Sequence, residues 1–263
     1  WIMKETLLLT GTIKPNNNGI QRSTVLSNDK YFDPEYRLWE YFSTIQYYIN
    51  TQLFDKIVFC ENSNYHFNNW ALLEQLAYNK GIQLELLQFY GDETSIKKYW
   101  YAYWEAEIFD YAFRNSQLLQ QSTSWYKVTW RYIIKNIDQI INYHQKWSIT
   151  TFFYKWWGLA QFGVTTAFFK TTQAFYEKHL YKKAIKYIKD TNTRFLESVF
   201  YILLKDCLLN QRTSWKTKVV PIYHFFSLKK AKIEIYKAKL WLLGFWRIAS
   251  ILESIRVAIW YKI

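Results

Sequence analysis

Short apolar runs alternate along the first half of the chain with longer segments of helical spacing. The runs predict four buried strands, at residues 7–12, 56–60, 82–89 and 126–134. The segments between them predict helices at residues 35–52, 69–79, 105–120 and 137–144. Strand–helix alternation of this kind predicts a largely parallel sheet with helices on both faces, and therefore an α/β fold.

Polar clusters follow the first three predicted strands at the point where each ends. They are Thr10-Gly11-Thr12, Glu61-Asn62-Ser63 and Gly91-Asp92-Glu93. In open α/β sheets, ligands bind outside the carboxyl ends of the strands. We therefore expect a binding site where these three clusters meet, although polar strand-to-helix loops occur in any α/β protein.

The second half of the chain is more helical, more aromatic and far more basic. Helical spacing covers residues 172–189 and 194–210, a strand is predicted at 218–226, and an apolar helix with sparse charges ends the chain. Residues 141–263 carry a net charge of +15, whereas residues 1–140 carry −2. A basic half favours phosphate-rich partners such as anionic lipid, nucleotides or nucleic acid. An AT-biased genome, which favours lysine codons, is an alternative partial cause.

The sequence lacks several familiar catalytic and cofactor-binding patterns. The chain has no GxGxxG, GxxxxGK[ST], HExxH or GxSxG pattern, and its four histidines share no metal-binding spacing. It also has no DxD pair of the kind that holds a divalent cation against a nucleotide diphosphate, which favours a metal-independent site. Cys60 and Cys207 form no framework and indicate a reducing compartment. The start has no signal-peptide layout, because its apolar run at residues 7–9 is too short. We expect translation to begin at Met3.

Five ordered motifs carry a family resemblance. They are Leu-Leu-Thr-Gly-Thr-Ile (8–13), Tyr-Arg-Leu-Trp-Glu-Tyr (36–41), Val-Phe-Cys-Glu-Asn-Ser (58–63), Lys-Tyr-Trp-Tyr-Ala-Tyr-Trp-Glu (98–105) and Lys-Val-Thr-Trp-Arg-Tyr (127–132). The series resembles bacterial sugar transferases of capsule, lipopolysaccharide and O-antigen clusters, which have a GT-A-like nucleotide-sugar-binding domain. The resemblance covers roughly residues 5–140. A weaker echo follows at residues 166–170 and 195–197, with Thr165 where that family has aspartate.

The resemblance implies a division of the chain and a set of site residues. It implies a nucleotide-sugar-binding α/β domain over residues 3–145, its acceptor-binding and catalytic completion over 146–228, and a basic apolar helix over 229–263. The nucleotide-binding residues implied are Thr10, Gly11, Thr12, Arg37, Glu61, Asn62, Ser63 and Arg131. An arginine offers a phosphate a two-pronged contact, and a glutamate can act as general base on an acceptor hydroxyl. The candidate bases are Glu105 and Glu197; salt bridges, caps or solvated loops are the alternative for every residue named.

Tryptophan is abundant and glycine is scarce, with 14 Trp and 7 Gly in 263 residues. Trp100, Trp104 and Trp130 stand where the resembling family has glycine. A loop that wraps a phosphate needs close backbone approach and often positive φ, which tryptophan tolerates poorly. We hypothesise that UGA codons for glycine were translated as tryptophan; a genuinely Trp-rich protein is the alternative. UGG codons at all three positions would reject the hypothesis.

The function expected from these features is transfer of a sugar from a nucleotide-sugar donor to a growing surface glycan or lipid-linked acceptor. We expect a cytoplasmic enzyme that is peripheral on the inner face of the plasma membrane, with the basic tail against anionic lipid. The tail is equally compatible with ordinary packing on the domain. Two other functions stay open: a basic, aromatic-rich protein that binds single-stranded nucleic acid, which the slightly acidic first half disfavours, and a non-catalytic scaffold of the same fold.

Overall fold

A computed structural model describes residues 5–15, 33–129, 132–144, 149–150, 153–156, 161–210 and 223–224. The strands are β1 (Glu5–Gly11), β2 (Phe54–Glu61), β3 (Gln83–Gln88), β4 (Ser124–Thr129), β5 (Ile133–Ile134), β6 (Ile149–Thr150), β7 (Phe153–Trp156), β8 (Gln161–Val164), β9 (Phe168–Thr172) and β10 (Tyr223–His224). The helices are α1 (Pro34–Thr51), α2 (Trp70–Asn79), α3 (Glu93–Asn115), α4 (Gln117–Gln120), α5 (Ile137–His144), α6 (Gln173–His179), α7 (Lys183–Thr191) and α8 (Leu196–Asn210).

The central sheet has six strands in the order β3-β2-β1-β4-β9-β6. The first four are mutually parallel, and β9 is antiparallel to both of its neighbours. Thr10 is level with Cys60 on one side and Thr129 on the other, so the carboxyl ends of β1, β2 and β4 reach the same edge. The α/β prediction with a mainly parallel sheet is confirmed.

Alternating side chains of each strand build a separate core on each face of the sheet. Leu7 and Leu9 of β1 face the core that includes α1, α2 and α5. Leu8 faces the other core, which includes α3, α6, α7 and α8. Because both faces are covered, β1 and β2 carry continuous apolar runs, at residues 7–9 and 57–60, rather than alternating apolar and polar residues.

Helix α3 begins twelve residues earlier than the spacing predicted. Asp92 caps it by accepting a 3.1 Å hydrogen bond from the backbone N–H of Ser95. Apolar side chains from Ile96 onward pack against the core one helical turn apart, and this packing makes residues 93–104 helical. Residues 93–104, which the spacing left outside the predicted helix, therefore belong to α3, although the helix is interrupted at Trp100.

The segment after β4 differs most from the predictions. The strand predicted over 126–134 is two strands, since β5 pairs with β10 and not with the central sheet. Residues 149–172 contribute four strands that the helical and aromatic pattern did not predict. The helix predicted over 172–189 is two helices, because Lys182 adopts a positive φ of 58° between them.

The predicted membrane-associated tail, residues 229–263, lies outside the described residues. Within the described ranges, each helix is too short or too polar to span a bilayer. Both cysteines are free thiols.

Candidate functional site

A cavity of about 830 Å³ opens at the carboxyl edge of β1, β2 and β3. Its wall comes from the loops that leave these three strands and from the first half of α3. The lining residues are Thr12, Lys14, Pro15, Asn62, Ser63, Asn64, Tyr65, His66, Tyr90, Gly91, Glu93, Ile96, Lys97, Trp100, Tyr101 and Trp104. All three predicted polar clusters contribute to it, and the volume is typical of a small-molecule site.

Thr12 is fixed at the rim of the cavity by two residues of α1. Its backbone N–H donates to the Tyr41 hydroxyl at 2.9 Å, and its carbonyl accepts from Arg37 Nε at 2.7 Å. Burial raises the pKa of Tyr41, so its hydroxyl stays neutral and able both to donate and to accept. In this structure Arg37 is a buried support for the loop after β1. Its predicted contact with a ligand phosphate stays a prediction.

Gly11 allows Tyr41 to reach this position. A Cβ at Gly11 would lie 2.6 Å from the Tyr41 ring, closer than van der Waals contact permits. The glycine is therefore required by close packing, whereas Thr10 beside it is buried in β1 and does not line the cavity.

Glu61 ties the loops after β1 and β2 together. Its carboxylate accepts from the backbone N–H groups of Ile13 at 3.0 Å, Ser63 at 2.8 Å and Tyr65 at 3.1 Å, and also from the Ser63 hydroxyl. The side chain is fully buried beneath the cavity. The geometry gives Glu61 the role of positioning its neighbours, and its direct contact with a nucleotide stays a prediction.

Asn62 has an unused hydrogen-bond donor at the cavity wall. Its Oδ1 accepts from the Thr12 hydroxyl at 2.6 Å, which orients the amide. The residue is 5% exposed, and its Nδ2 has no hydrogen-bond partner among the described residues. A buried N–H left without an acceptor costs about 1–3 kcal/mol. Since Asn62 lines the cavity, a ligand that brings an acceptor oxygen to this amide would satisfy the donor.

The cavity wall also carries positive charge. Lys14 follows the β1 loop and Lys97 lies on α3, and both are exposed at the cavity. Arg194 lies with its guanidinium carbon 4.9 Å from the centre of the Trp100 ring. Glu93 is an acidic residue in the lining. This arrangement suits an anionic ligand more than a cationic one.

A charged cluster lies at the neighbouring strand end, that of β4. Lys127 is fully buried, and its Nζ lies 2.7 Å from the carboxylate of Glu105 on α3. It also donates to the Thr129 hydroxyl and the Thr166 carbonyl, and it lies 4.3 Å from the centre of the Phe109 ring. Burial lowers the pKa of Lys127 to about 8, against the opposing attraction of Glu105.

Glu105 is held in this cluster but remains partly open to solvent. It accepts from Lys127 and from Thr129 at 2.9 Å on one oxygen, and from Thr166 at 3.2 Å on the other. These contacts use three of about four acceptor positions on a carboxylate. With its side chain 22% exposed, Glu105 can accept one further hydrogen bond.

Both predicted bases influence the charge of Lys127, but the contact shown is that of Glu105. The negative charge of Glu197, in the first turn of α8, helps to keep the pKa of Lys127 from falling further. Neither glutamate lines the cavity itself, but Glu105 follows the lining residue Trp104 on α3.

The three predicted glycine positions differ. Trp100 has φ 62° and ψ −153°, a conformation that is nearly restricted to glycine. Trp104 lies in the helical part of α3, so its backbone gives no reason for glycine. Trp130 and the predicted site residue Arg131 lie outside the described residues.

The sequence patterns did not single out Lys127 and Tyr41, although both lie in the motifs that carry the family resemblance. A lysine within an otherwise apolar strand was the available signal for Lys127, since a buried lysine needs partners. Within the described part of the chain, no group of three or more His, Cys, Asp or Glu side chains is placed to hold a metal ion.

Comparisons with known proteins give weak similarities. No protein-family model matches the sequence, and no curated protein matches it. Among solved structures, the apo form of the glycosyltransferase GlyE of Streptococcus pneumoniae TIGR4 is similar over 77% of this chain, with 9% identity and a TM-score of 0.46. A second GlyE structure is similar over 77% of this chain, with 9% identity and a TM-score of 0.45. HddC of Yersinia pseudotuberculosis is similar over 66% of this chain, with 9% identity and a TM-score of 0.34.

The share of the other proteins that is covered varies. The alignments cover 43% and 44% of the GlyE chains, less than half, and 79% of HddC. Because these TM-scores lie below 0.5, the case for a function rests on the site of this chain alone.

Proposed function

We propose that the chain is a glycosyltransferase that binds a nucleotide-sugar donor in the cavity at the β1–β3 edge. The observation that carries this proposal is the buried, unpartnered Nδ2 of Asn62 in the wall of a cavity with exposed lysines. A nucleotide supplies a partner for the Asn62 donor, since its base and ribose carry acceptor oxygens. It also supplies a partner for the lysines, since its diphosphate carries negative charge. The GT-A-like motif series supports the same choice of ligand.

The donor is held by groups of different kinds in this proposal. Asn62 Nδ2 donates to the base or ribose, with the amide oriented by Thr12. Lys14 and Lys97 attract the diphosphate. Ser63, which lines the cavity, receives the backbone N–H of Lys14 at 2.9 Å and fixes the loop that carries this lysine.

Glu105 serves as the general base in this proposal. In the proposed step, Glu105 takes the proton of the acceptor hydroxyl as that oxygen bonds to the anomeric carbon of the sugar, while the bond from this carbon to the phosphate breaks and the nucleotide leaves. Lys127 fixes the orientation of the Glu105 carboxylate, whose side chain is 22% exposed. Glu197 is the second carboxylate of the cluster, and its contribution is electrostatic.

The proposal also covers the acceptor of the sugar and the cellular location of the enzyme. The net charge of +15 on residues 141–263 supports an acceptor carried on an anionic membrane surface, such as a lipid-linked glycan. We propose surface-polysaccharide synthesis on the inner face of the plasma membrane, with residues 229–263 as the contact to lipid.

The test is a calorimetric titration with UDP, GDP and CMP, each with EDTA and with Mg²⁺, followed by transfer assays with the matching nucleotide sugars. We expect at least one nucleotide to bind with a Kd in the micromolar range. Asn62→Asp keeps the acceptor for Thr12 but replaces the free donor with a charged oxygen. It should weaken binding at least tenfold, or by about 1.4 kcal/mol.

The matched control is Asn79→Asp, which makes the same change at an exposed position on α2. It should leave the affinity unchanged. Tight binding of a single-stranded oligonucleotide without binding of any nucleotide would overturn the proposal in favour of a nucleic-acid-binding protein. Nucleotide binding without transfer to any acceptor would favour a non-catalytic scaffold.

A further inference from the structure

The segment from α6 to α7 presents a group of exposed lysines, which we call the lysine face. Its members are Lys178, Lys182, Lys183, Lys186 and Lys189. Residues 173–191 oppose this charge with only Glu177 and Asp190, and they contain no arginine. Among the described residues, none of the five ammonium groups forms an ion pair. The positive charge of the face is therefore open to an anionic partner.

The packing of α7 turns these lysines outward. Ala184 and Ile188 lie one helical turn apart and are buried in the core that α7 shares with α3 and α8. Lys183, Lys186 and Lys189 recur every three residues and lie on the opposite, exposed side of the helix. Because the apolar side is already occupied, the lysine side is the surface that α7 offers to a partner.

Both ends of α7 are tied to α3, which fixes the face relative to the cavity. At the start, Asp110 accepts from the backbone N–H of Lys182 at 2.9 Å. At the other end, Lys189 Nζ lies 5.3 Å from the centre of the Tyr103 ring. The pKa of Asp92 is lowered chiefly by hydrogen bonds from the first turn of α3 and also by the charge of Lys189. Since Asp92 stands between two residues that line the cavity, the lysine face reaches the cavity rim.

The chemistry of the face suits anionic lipid better than nucleic acid. Lysine is a point charge on a flexible stem, whereas arginine is the residue favoured for nucleic-acid recognition. A single strand of nucleic acid also binds through open aromatic rings on which its bases stack. The neighbouring Tyr181 is half-buried, and its ring packs against Phe113 with the centroids 4.8 Å apart. A cluster of about four to eight basic residues on an amphipathic helix is typical of binding to anionic headgroups.

We propose that the lysine face docks the chain on an anionic lipid bilayer and holds the cavity rim at the membrane surface. The contact is electrostatic, because α7 has its apolar side in the core. The docking surface is separate from the lipid contact proposed for residues 229–263. It rests on the proposed function for the reason that the chain meets a membrane, since a lipid-linked acceptor would then be presented beside the cavity.

Co-sedimentation with lipid vesicles tests the docking surface. The probes are vesicles of phosphatidylcholine with and without phosphatidylglycerol, and no nucleotide is added. The parent chain should bind only the vesicles that contain phosphatidylglycerol, and added salt should weaken this binding because it screens exposed charges. Lys183→Glu combined with Lys186→Glu reverses two charges of the face and should weaken binding at least tenfold.

The matched control is Lys80→Glu combined with Lys135→Glu. It makes the same change in net charge beside α2 and α5, on the other face of the sheet. Binding of this variant to anionic vesicles should stay within about twofold of the parent value. Equal losses in the two double variants would show that net charge alone attracts the chain, and they would overturn the docking surface.

Three other outcomes decide the proposal. Vesicle binding that survives reversal at Lys183 and Lys186 would overturn it. Reversal that abolishes binding of a single-stranded oligonucleotide but not of vesicles would assign the face to nucleic acid instead. If circular dichroism shows that the glutamate variant is unfolded, Lys183→Gln with Lys186→Gln takes its place, with an expected loss of about threefold.

The two proposals fail independently in these measurements. Loss of the expected vesicle binding while nucleotides still bind would count against the docking surface alone. Vesicle binding as expected, with no nucleotide bound in the calorimetric titration, would count against the proposed function and leave the docking surface standing.

Discussion

Two neighbouring regions at the carboxyl edge of the sheet differ in how their polar groups are hydrogen-bonded. At β1 and β2, Glu61 and Tyr41 satisfy the loop backbone, but the Asn62 amide keeps a buried donor without a partner. At β4, Lys127 donates its hydrogen bonds to Glu105, Thr129 and Thr166. A polar group in a cavity wall that lacks a hydrogen-bond partner favours the binding of a ligand. A polar group whose hydrogen bonds are all made within the protein favours the positioning of a neighbouring side chain. The comparison separates a binding region from a region that holds Glu105.

The largest effect should come from Lys127→Met. Removing one member of a buried ion pair leaves Glu105 and two threonines without their shared partner, so we expect a loss of about 3 kcal/mol in the free energy of unfolding. Urea denaturation measures it. Lys186→Met, at an exposed position on α7, is the control and should change stability by less than about 0.5 kcal/mol. A loss of less than about 1 kcal/mol at Lys127 would mean that the cluster does not hold this region together.

The pH dependence of stability tests the burial of the same lysine. Its folded pKa of about 8 lies below the 10.5 of a solvent-exposed lysine, so above pH 8 the unfolded chain binds the proton that the folded chain releases. Stability from this group therefore rises with pH, by about 2 kcal/mol between pH 7.5 and 9.5. Urea denaturation at both values should show this rise in the parent chain relative to Lys127→Met. Equal slopes in the two proteins would contradict the burial of a charged lysine.

The smallest effect sharpens the contrast between the two regions through a pair of matched changes. Thr12→Val removes the hydroxyl that orients Asn62, so nucleotide affinity should fall about fivefold, close to 1 kcal/mol. Thr129→Val removes a hydroxyl from the Lys127 cluster, so stability should fall by about 1 kcal/mol with affinity unchanged. Calorimetric titration and urea denaturation of both variants measure this. If Thr129→Val weakened binding as much as Thr12→Val, the two regions would not be separate.

Periodicity predicted the first half of the fold well because each strand there is a continuous apolar run. The same reasoning missed β6 to β9, since short strands paired with one another carry little periodic signal, and β9 is placed by its pairing with β4 rather than by local pattern. The start of α3 was missed because tertiary packing around Ile96 outweighs the local turn signals at residues 91–92.

Part of the candidate site was predictable for a similar reason. The polar clusters at strand ends identified Thr12, Asn62 and Ser63, because parallel strands bring their carboxyl ends together. The sequence could not distinguish Asn62, which has a free donor, from Glu61, whose carboxylate is engaged by the backbone. That difference depends on loop geometry that no spacing encodes. The resemblance predicted glycine at positions 100, 104 and 130, and of the two that the structure describes, only position 100 has a backbone conformation that favours glycine.

The central claim is that Asn62 Nδ2 donates to a bound nucleotide, and the side-chain amide resonance of Asn62 tests it most directly. In ¹⁵N-labelled protein, this resonance is assigned by its absence from Asn62→Asp. We expect a saturable downfield shift of the amide protons as the binding nucleotide among UDP, GDP and CMP is added, with the side-chain resonance of Asn79 unmoved. Saturable nucleotide binding that leaves the Asn62 amide resonance unchanged, or no binding by any of the three, would contradict the account.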